Sequence, residues 1–483
     1  MKTHRRLSLR ITTHTTAHTP SSLHRRLPEN LHPCLFQGQH TSGPRNPFTV
    51  VTARPLLTFR SWGSRCEISQ DGQRSVCFGN PWTQLKQLQD RFEIIDQLDV
   101  PFPTGIAGGY WGYDLKHFCE PSLKRLVHTD VELPDCLVGF YPSLVVFEEG
   151  KENVTIVATG MNAGGDQSPS LAEEQTNFWL QLLDSQSENT EGLGSVSAPD
   201  LANFSTSLNQ DQFIERVNQA QRYIRAGDIY QVNLARRFSF NQTPLDNSAY
   251  FEWLQSLSPA RFGARISDPQ FELISSSPEL FLEMSGPKIT TQPIKGTRPR
   301  HIDPTQDAQL SFELQTSEKE QSELIMITDL MRNDLGRICT YGSVETQELL
   351  KLHHFSHVHH LESQITGQLR PEYSHLDALE KCFPGGSITG APKIRAMQII
   401  EALEPVSRGP YTGCIGYLGF NRESLLSIAI RITLLTGNAI HYYAGSGIVA
   451  DSDPIAEYEE TLHKAAGFFQ ALGYDPQMAT EAR

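Results

Sequence analysis

Four glutamates suggest the first chemistry. Glu320 and Glu323 stand three residues apart in one helical stretch, and Glu457 and Glu460 repeat that spacing in another. Carboxylates at i and i+3 share a helix face, so two such pairs brought together would hold a hard cation such as Mg2+. The same spacing describes a solvated face, and Glu460 with Lys464 is an ordinary i,i+4 pair. Lys295 lies in Gln-Pro-Ile-Lys-Gly-Thr-Arg-Pro-Arg300, where Ile294 can partly desolvate the amine and leave it usable as a nucleophile. On spacing alone, a surface lysine in a turn is the simpler account. Glu279 closes Ser-Ser-Ser-Pro-Glu at the end of an apolar strand, a place for an acid/base. The run Pro384-Gly-Gly-Ser-Ile-Thr-Gly-Ala-Pro-Lys393 leads into an amphipathic helix over 394–403. Its N–H groups and Lys393 suit an anion, and a plain helix start fits equally well.

Other patterns promise more than they carry. Gly445-Ser-Gly-Ile-Val-Ala450 matches a relaxed dinucleotide fingerprint, but Asp451-Ser-Asp-Pro454 intervenes where a helix must open. Gly385–Gly390 has phosphate-loop spacing with Ala391 and Pro392 in place of Lys and Ser/Thr. His353, His354, His357, His359 and His360 lack cysteine or carboxylate partners in a ligand pattern and read as solvated or packed histidines. Cys414, in Thr-Gly-Cys-Ile-Gly, lacks the first glycine of a glutaminase elbow and reads as a core cysteine.

These residues need elements to hold them. Strands are expected over 47–53, 55–60, 137–147, 153–158, 229–240, 411–420, 424–435 and 439–443, the last two joined through Thr436-Gly437-Asn438. Asn209 and Gln212 have capping-box spacing before a helix whose apolar side is Phe213, Val217, Ala220 and Ile224. A helix around 318–334 presents Leu324, Ile327, Leu330 and Met331. A final helix from Pro454 buries Tyr458, Leu462, Ala465 and Phe469. Glycines cluster over 105–112, where a backbone passes close to a neighbour. The Ser-, Asn- and Glu-rich stretch 184–200 is the expected linker. Strands and helices with short turns predict an α+β fold of antiparallel sheets packed with helices.

The chain's 483 residues carry 41 Lys+Arg and 55 Asp+Glu. Residues 1–60 hold nine basic side chains and one acid; the rest hold 32 against 54, or −22. So acidic a body repels polyphosphate, which disfavours nucleic-acid binding. No run approaches the roughly 20 apolar residues of a membrane span. Eight cysteines without a C-x-x-C pair suggest reduced thiols. The basic start is expected to be an extension over 1–30, since a transit peptide, a disordered tail and an over-long gene start share its composition.

Taken together, the segments Tyr230-Gln-Val-Asn-Leu-Ala-Arg236, Ser276-Ser-Pro-Glu279, Pro293-Ile-Lys-Gly-Thr297, Asp329-Leu-Met-Arg-Asn-Asp-Leu-Gly336, Gly386-Ser-Ile-Thr-Gly-Ala-Pro-Lys393, Ala444-Gly-Ser-Gly-Ile-Val-Ala-Asp-Ser452 and Ala456-Glu-Tyr-Glu-Glu460 resemble the chorismate-utilising enzymes. The match is specific over about 209–472 and weaker from about Leu31 to the linker. It implies an N-terminal domain over 31–183 and a chorismate-binding catalytic domain over 201–475. Anthranilate-forming members have Ala where this chain has Lys295, and water-adding members have a lysine base where it has Gln231. The resemblance therefore implies the aminodeoxychorismate-forming branch, with the anthranilate-forming branch and a catalytically silent regulatory homologue as the alternatives.

The resemblance also implies roles. Lys295 is the nucleophile and Glu279 the acid/base. Glu320, Glu323, Glu457 and Glu460 surround Mg2+. Tyr411, Arg431 and backbone N–H groups near Gly445 and Gly447 hold the substrate's enolpyruvyl side, and Ser387 and His360 line the pocket. Lys393 matches its motif position. With no glutaminase motif, ammonia is expected from a separate glutamine amidotransferase subunit. Cys34-Leu-Phe-Gln-Gly38 departs from the family's tryptophan-pocket pattern. The implied protein is cytoplasmic, and deleting 1–26 is expected to leave ammonia-dependent activity intact.

Overall fold

The computed structural model describes residues 8–39, 47–94, 100–185, 201–241, 246–355, 358–437 and 439–474. Period-two runs of β-branched and aromatic residues build two twelve-stranded sheets from antiparallel ladders. The first runs Arg10–Thr15, Asn153–Ala158, Ser143–Glu148, Phe48–Thr52, Cys34–Gly38, Phe262–Asp268, Phe271–Ser277, Ile432–Thr436, Ala439–Ile448, Gln231–Phe240 and Phe204–Thr206, with Gly390–Ala391 joined to Gln231–Phe240. The second runs Ile294–Pro299, Val358–Gln368, Lys288–Gln292, Leu280–Ser285, Glu423–Ile428, Cys414–Gly419, Ile106–Trp111, Cys136–Tyr141, Leu57–Trp62, Arg65–Gln70 and Gln73–Phe78, with Glu345–His354 joined to Val358–Gln368.

The sheets pack face to face. Phe36 of the first meets Tyr417 of the second at a ring separation of 5.9 Å, and Tyr110 meets Phe271 at 6.0 Å. The glycine cluster serves this packing, since a Cβ on Gly108 would lie 3.0 Å from the Phe36 ring. Helices Gln210–Arg225 and Pro454–Ala471 cover the first sheet, with Phe469 edge-on to Phe238 at 5.4 Å. Helix Glu318–Gly336 lies against Val358–Gln368 and Ile294–Pro299 of the second. The two glutamate-bearing helices thus belong to opposite sheets.

Several expectations change here. The segments on either side of the 184–200 stretch do not form separate sheets. Cys34–Gly38 pairs with Phe262–Asp268, and Ile106–Trp111 with Cys414–Gly419, so both segments share both sheets. Most of that stretch, 186–200, lies outside the described residues, as do 1–7, His357 and Asn438. Nor is the whole basic start a free extension. Arg10–Thr15 forms the edge strand against Asn153–Ala158, and Leu23 of helix Pro20–Arg25 is fully buried. Apolar side chains at Leu23 and Leu27 override the basic composition around them.

Two expected strands are each two. Residues 137–147 break at Pro142, leaving Cys136–Tyr141 in the second sheet and Ser143–Glu148 in the first. Residues 424–435 break at 429–431, with Glu423–Ile428 in the second sheet and Ile432–Thr436 in the first. Arg431 turns this corner at φ 51°, a conformation uncommon for a residue with a side chain. A third corner, Pro278-Glu279, carries Phe271–Ser277 into Leu280–Ser285. The corners are bonded together: Ile428 N donates to Glu279 O at 3.1 Å, and Ser276 N to Arg431 O at 3.0 Å. The expected helix starts hold, with Asn209 and Gln212 forming the capping box and Asp453 capping the helix from Pro454.

Candidate active site

Where the corners meet the glutamate-bearing helices, a cavity of 1490 Å3 opens. Eleven of the twelve expected site residues line it: Lys295, Glu279, His360, Ser387, Tyr411, Arg431, Gly445, Gly447, Glu320, Glu323 and Glu460. Glu457 does not. It is buried behind the wall, accepting from the hydroxyls of Ser446 and Ser452, the latter at 2.6 Å.

Glu279 is held at its corner with 6% of its surface exposed. Burial pushes its carboxyl up to about 7, against the downward pull of the Ser387 hydroxyl hydrogen bond and the Lys295 ammonium. A carboxyl near neutrality can give and take a proton, as an acid/base must. Ser387 comes from the turn Gly386–Ile388. Lys295 lies on the strand Ile294–Pro299 with its amine 3.7 Å from Glu323 Oε2, and Gln231 Nε2 donates to the same oxygen at 3.1 Å.

Arg431 meets no carboxylate within ion-pairing reach among the described residues, whereas Arg261 pairs with Glu362 at 2.9 Å and Arg298 with Glu320 at 3.7 Å. A largely desolvated guanidinium without a counter-charge is a seat for an anion. His360 Nδ1 stands 3.5 Å from Glu362, too far for a good hydrogen bond, and neither ring nitrogen has a partner among the described residues. Burial lowers its pKa despite Glu362, so a neutral imidazole faces the cavity. Tyr411 stacks on Tyr443 at 5.2 Å. Gly445 and Gly447 leave room that side chains would fill. A Cβ on Gly445 would stand 2.7 Å from Asn233 Oδ1 and 2.8 Å from Leu234 O; one on Gly447 would stand 2.5 Å from Gln231 Nε2.

The acidic set suits a hard cation in donor type. Burial and the neighbouring Glu323 charge raise the Glu320 pKa against the pull of Arg298, Lys295 and Lys319, the mark of carboxylates crowded together. Each carboxylate also has a basic neighbour: Arg298 for Glu320, Lys295 for Glu323, Lys319 at 3.5 Å for Glu457 and Lys464 at 2.6 Å for Glu460. Burial works to raise the Glu460 pKa, but Lys464, with Lys319 and Lys295, outweighs it and the net shift is down. Elsewhere, Asp114, His117 and Glu401 bring three ligand atoms within 4.8 Å. There the Lys116 ammonium already stands 2.7 Å from Glu401 and 3.2 Å from Asp114, where a cation would sit.

Lys393 does not line the cavity. Its ammonium turns away from the cavity to Asp334 at 2.5 Å and to the carbonyls of Cys382 and Pro384, pinning the glycine turn from behind. Sequence reading passed over Arg408, three residues before Tyr411. Its buried guanidinium donates to Glu404, Ile388 O, Thr412 Oγ1 and Asn233 O, tying together the segments that carry Ser387, Tyr411 and Asn233. A lone arginine has no periodicity to mark it; only the Arg-Gly-Pro-Tyr run beside an expected site residue pointed there.

A family model described as chorismate binding enzyme matches residues 42–470. The aminodeoxychorismate synthase component 1 of Escherichia coli (strain K12) is 36% identical over 440 residues, 91% of this chain and 92% of that one. An anthranilate synthase component 1 of Haloarcula marismortui is 39% identical over 381 residues, 77% of each chain. Among solved structures, anthranilate synthase component I from Streptococcus pneumoniae TIGR4 superposes with a TM-score of 0.76 at 28% identity, covering 94% of this chain and 98% of that one. Overall identity does not divide the two named activities. It does place the fold and the substrate class, and the chain belongs to the family of chorismate-binding enzymes.

Proposed function

We propose that this chain is the chorismate-aminating component of an aminodeoxychorismate synthase, forming 4-amino-4-deoxychorismate for para-aminobenzoate and folate synthesis in the cytoplasm. The observation that carries the reading is the Lys295 amine in the cavity, close enough to lower the pKa of a Glu279 carboxyl that burial lifts to about 7. Glu320, Glu323 and Glu460, with Glu457 behind them, would hold Mg2+, which neutralises the ring carboxylate of chorismate when bound. Arg431 and Tyr411 hold the enolpyruvyl side, Gly445 and Gly447 leave space for it, and His360 and Ser387 complete the wall.

Glu279 takes a proton from the Lys295 ammonium, the freed amine adds to ring C2 as the C4–oxygen bond breaks, and Glu279 passes that proton to the departing hydroxyl, which leaves as water. Ammonia then adds at C4, the C2–nitrogen bond breaks to release Lys295, and the proton shed by ammonia returns to Glu279. The enolpyruvyl group stays in place. Ammonia comes from a glutamine amidotransferase partner. Cys414 cannot supply it: the thiol is fully buried in a strand, and burial pushes it far up.

The second reading, anthranilate formation, is favoured by the similar identity to relatives of that name. One assay separates them: chorismate, magnesium and an ammonium salt, with the product identified by mass and fluorescence. Aminodeoxychorismate retains the enolpyruvyl group and anthranilate does not. Undiminished aminodeoxychorismate formation by Lys295→Ala would rule out the covalent route, and full activity after exhaustive chelation would rule out the metal.

A further inference from the structure

The outermost hairpin of the second sheet pairs Arg65–Gln70 with Gln73–Phe78 around Asp71-Gly72, whose φ values of 49° and 75° suit a two-residue turn. That turn sets the register, and the register puts Cys66 directly opposite Cys77. Opposed residues of an antiparallel pair point to the same face with Cα atoms about 4.5–5.5 Å apart, inside the window of about 4.4–6.8 Å that a disulfide spans. The Cys66 thiol donates to Ser64 O at 3.7 Å, and Cys77 is near enough to help raise its pKa. Their exposure differs. Cys66 is fully buried, whereas Cys77 is half-buried on an edge strand whose Val76 and Phe78 are open to solvent. Of the other six cysteines, five are buried. A thiol reachable from solvent is therefore set, by the backbone itself, against one that is not.

We propose that Cys66 and Cys77 form a modification site: a reversible cross-strand disulfide made by exchange with a low-molecular-weight disulfide such as glutathione disulfide. The Cys77 thiolate attacks one glutathione sulfur and expels the other as a thiolate, giving a mixed disulfide. Cys66 then gives up its proton, attacks the Cys77 sulfur and expels the second glutathione. Two protein thiols are oxidised, one glutathione disulfide is reduced to two thiols, and the two sulfur-bound hydrogens end on glutathione. Burial and the Cys77 sulfur raise the Cys66 thiol to about 11, so this second step is the slow one and relies on the enforced contact. Neither cysteine lines the cavity, so the bond staples the exposed edge of the sheet without touching the chemistry.

The test incubates the full-length protein with glutathione disulfide and maps its thiols by alkylation, trypsin and mass spectrometry. The expected product joins peptides 66–74 and 75–86, lighter by two hydrogens than the reduced pair and restored by dithiothreitol. Loss of the Cys66 thiol is the telling readout, because glutathione cannot reach it except through Cys77. Cys66→Ala should stop at a glutathione adduct on Cys77, and Cys77→Ser should leave Cys66 free with chorismate turnover unchanged. A wild-type protein that keeps a stable adduct on Cys77, or that shows no change at either residue, would overturn the proposal.

Discussion

Replacing Ser387 with alanine removes one hydrogen bond from the Glu279 carboxylate, and the consequence can be worked out from the site. Burial sets the Glu279 pKa near 7, and the Ser387 hydroxyl and Lys295 ammonium act against that rise. A hydrogen bond to a charged group is worth about 1.5–3 kcal/mol net. At about 1.4 kcal/mol for each pKa unit, losing it should raise the Glu279 pKa by roughly one unit or more. The pH dependence of kcat/KM reports the free enzyme, so the limb belonging to Glu279 should move from near 7 to near 8 or above in Ser387→Ala. The assay is ammonia-dependent chorismate consumption across neutral and mildly alkaline pH, with Ser387→Thr expected to restore the original limb. A uniform loss of rate with the limb unmoved would mean that Ser387 touches substrate alone. A limb moved to lower pH would refute the account of Glu279 altogether.

Glu279 should also cost stability. Its folded pKa of about 7 lies above the ordinary value of 4.5, so between the two the folded chain holds a proton the unfolded chain has shed. Stability then falls as pH rises through that window, by about 3 kcal/mol in all. Glu279→Gln should melt higher than wild type above pH 7 and close to it below pH 4.5 in thermal denaturation; equal melting at alkaline pH would contradict the burial effect. Leu23→Ala should cost about 2–5 kcal/mol, and deleting residues 1–26 more, since the deletion also strips the edge strand. An unchanged melting temperature would return the start of the chain to the free extension its composition suggested. Gly445→Ala should lower kcat/KM by about 10²-fold, because a Cβ 2.8 Å from the Leu234 carbonyl must displace the strand. Wild-type kinetics from that variant would show the strand can give way.

What the sequence determined by itself was local chemistry and the run of elements. The capping box at Asn209 and Gln212, the helix starting at Pro454 and the strand character of 229–240 depend on neighbours along the chain, and they appear as expected. Motif residues likewise marked eleven of the residues that line the cavity. Tertiary structure decided what composition and periodicity do not encode. A strand that turns a corner between sheets keeps its apolar alternation through the turn, so the breaks at Pro142 and Arg431 are invisible to period counting. Yet the Arg431 and Pro278-Glu279 corners carry the raised carboxyl and a guanidinium that meets no carboxylate among the described residues. Burial, which raises Glu279, turns Lys393 inward to Asp334 and leaves Glu457 behind the wall, is a property of the packed sheets and helices. Side chains far apart in the chain meet at the corners because two sheets share the core, and no single segment contains that information.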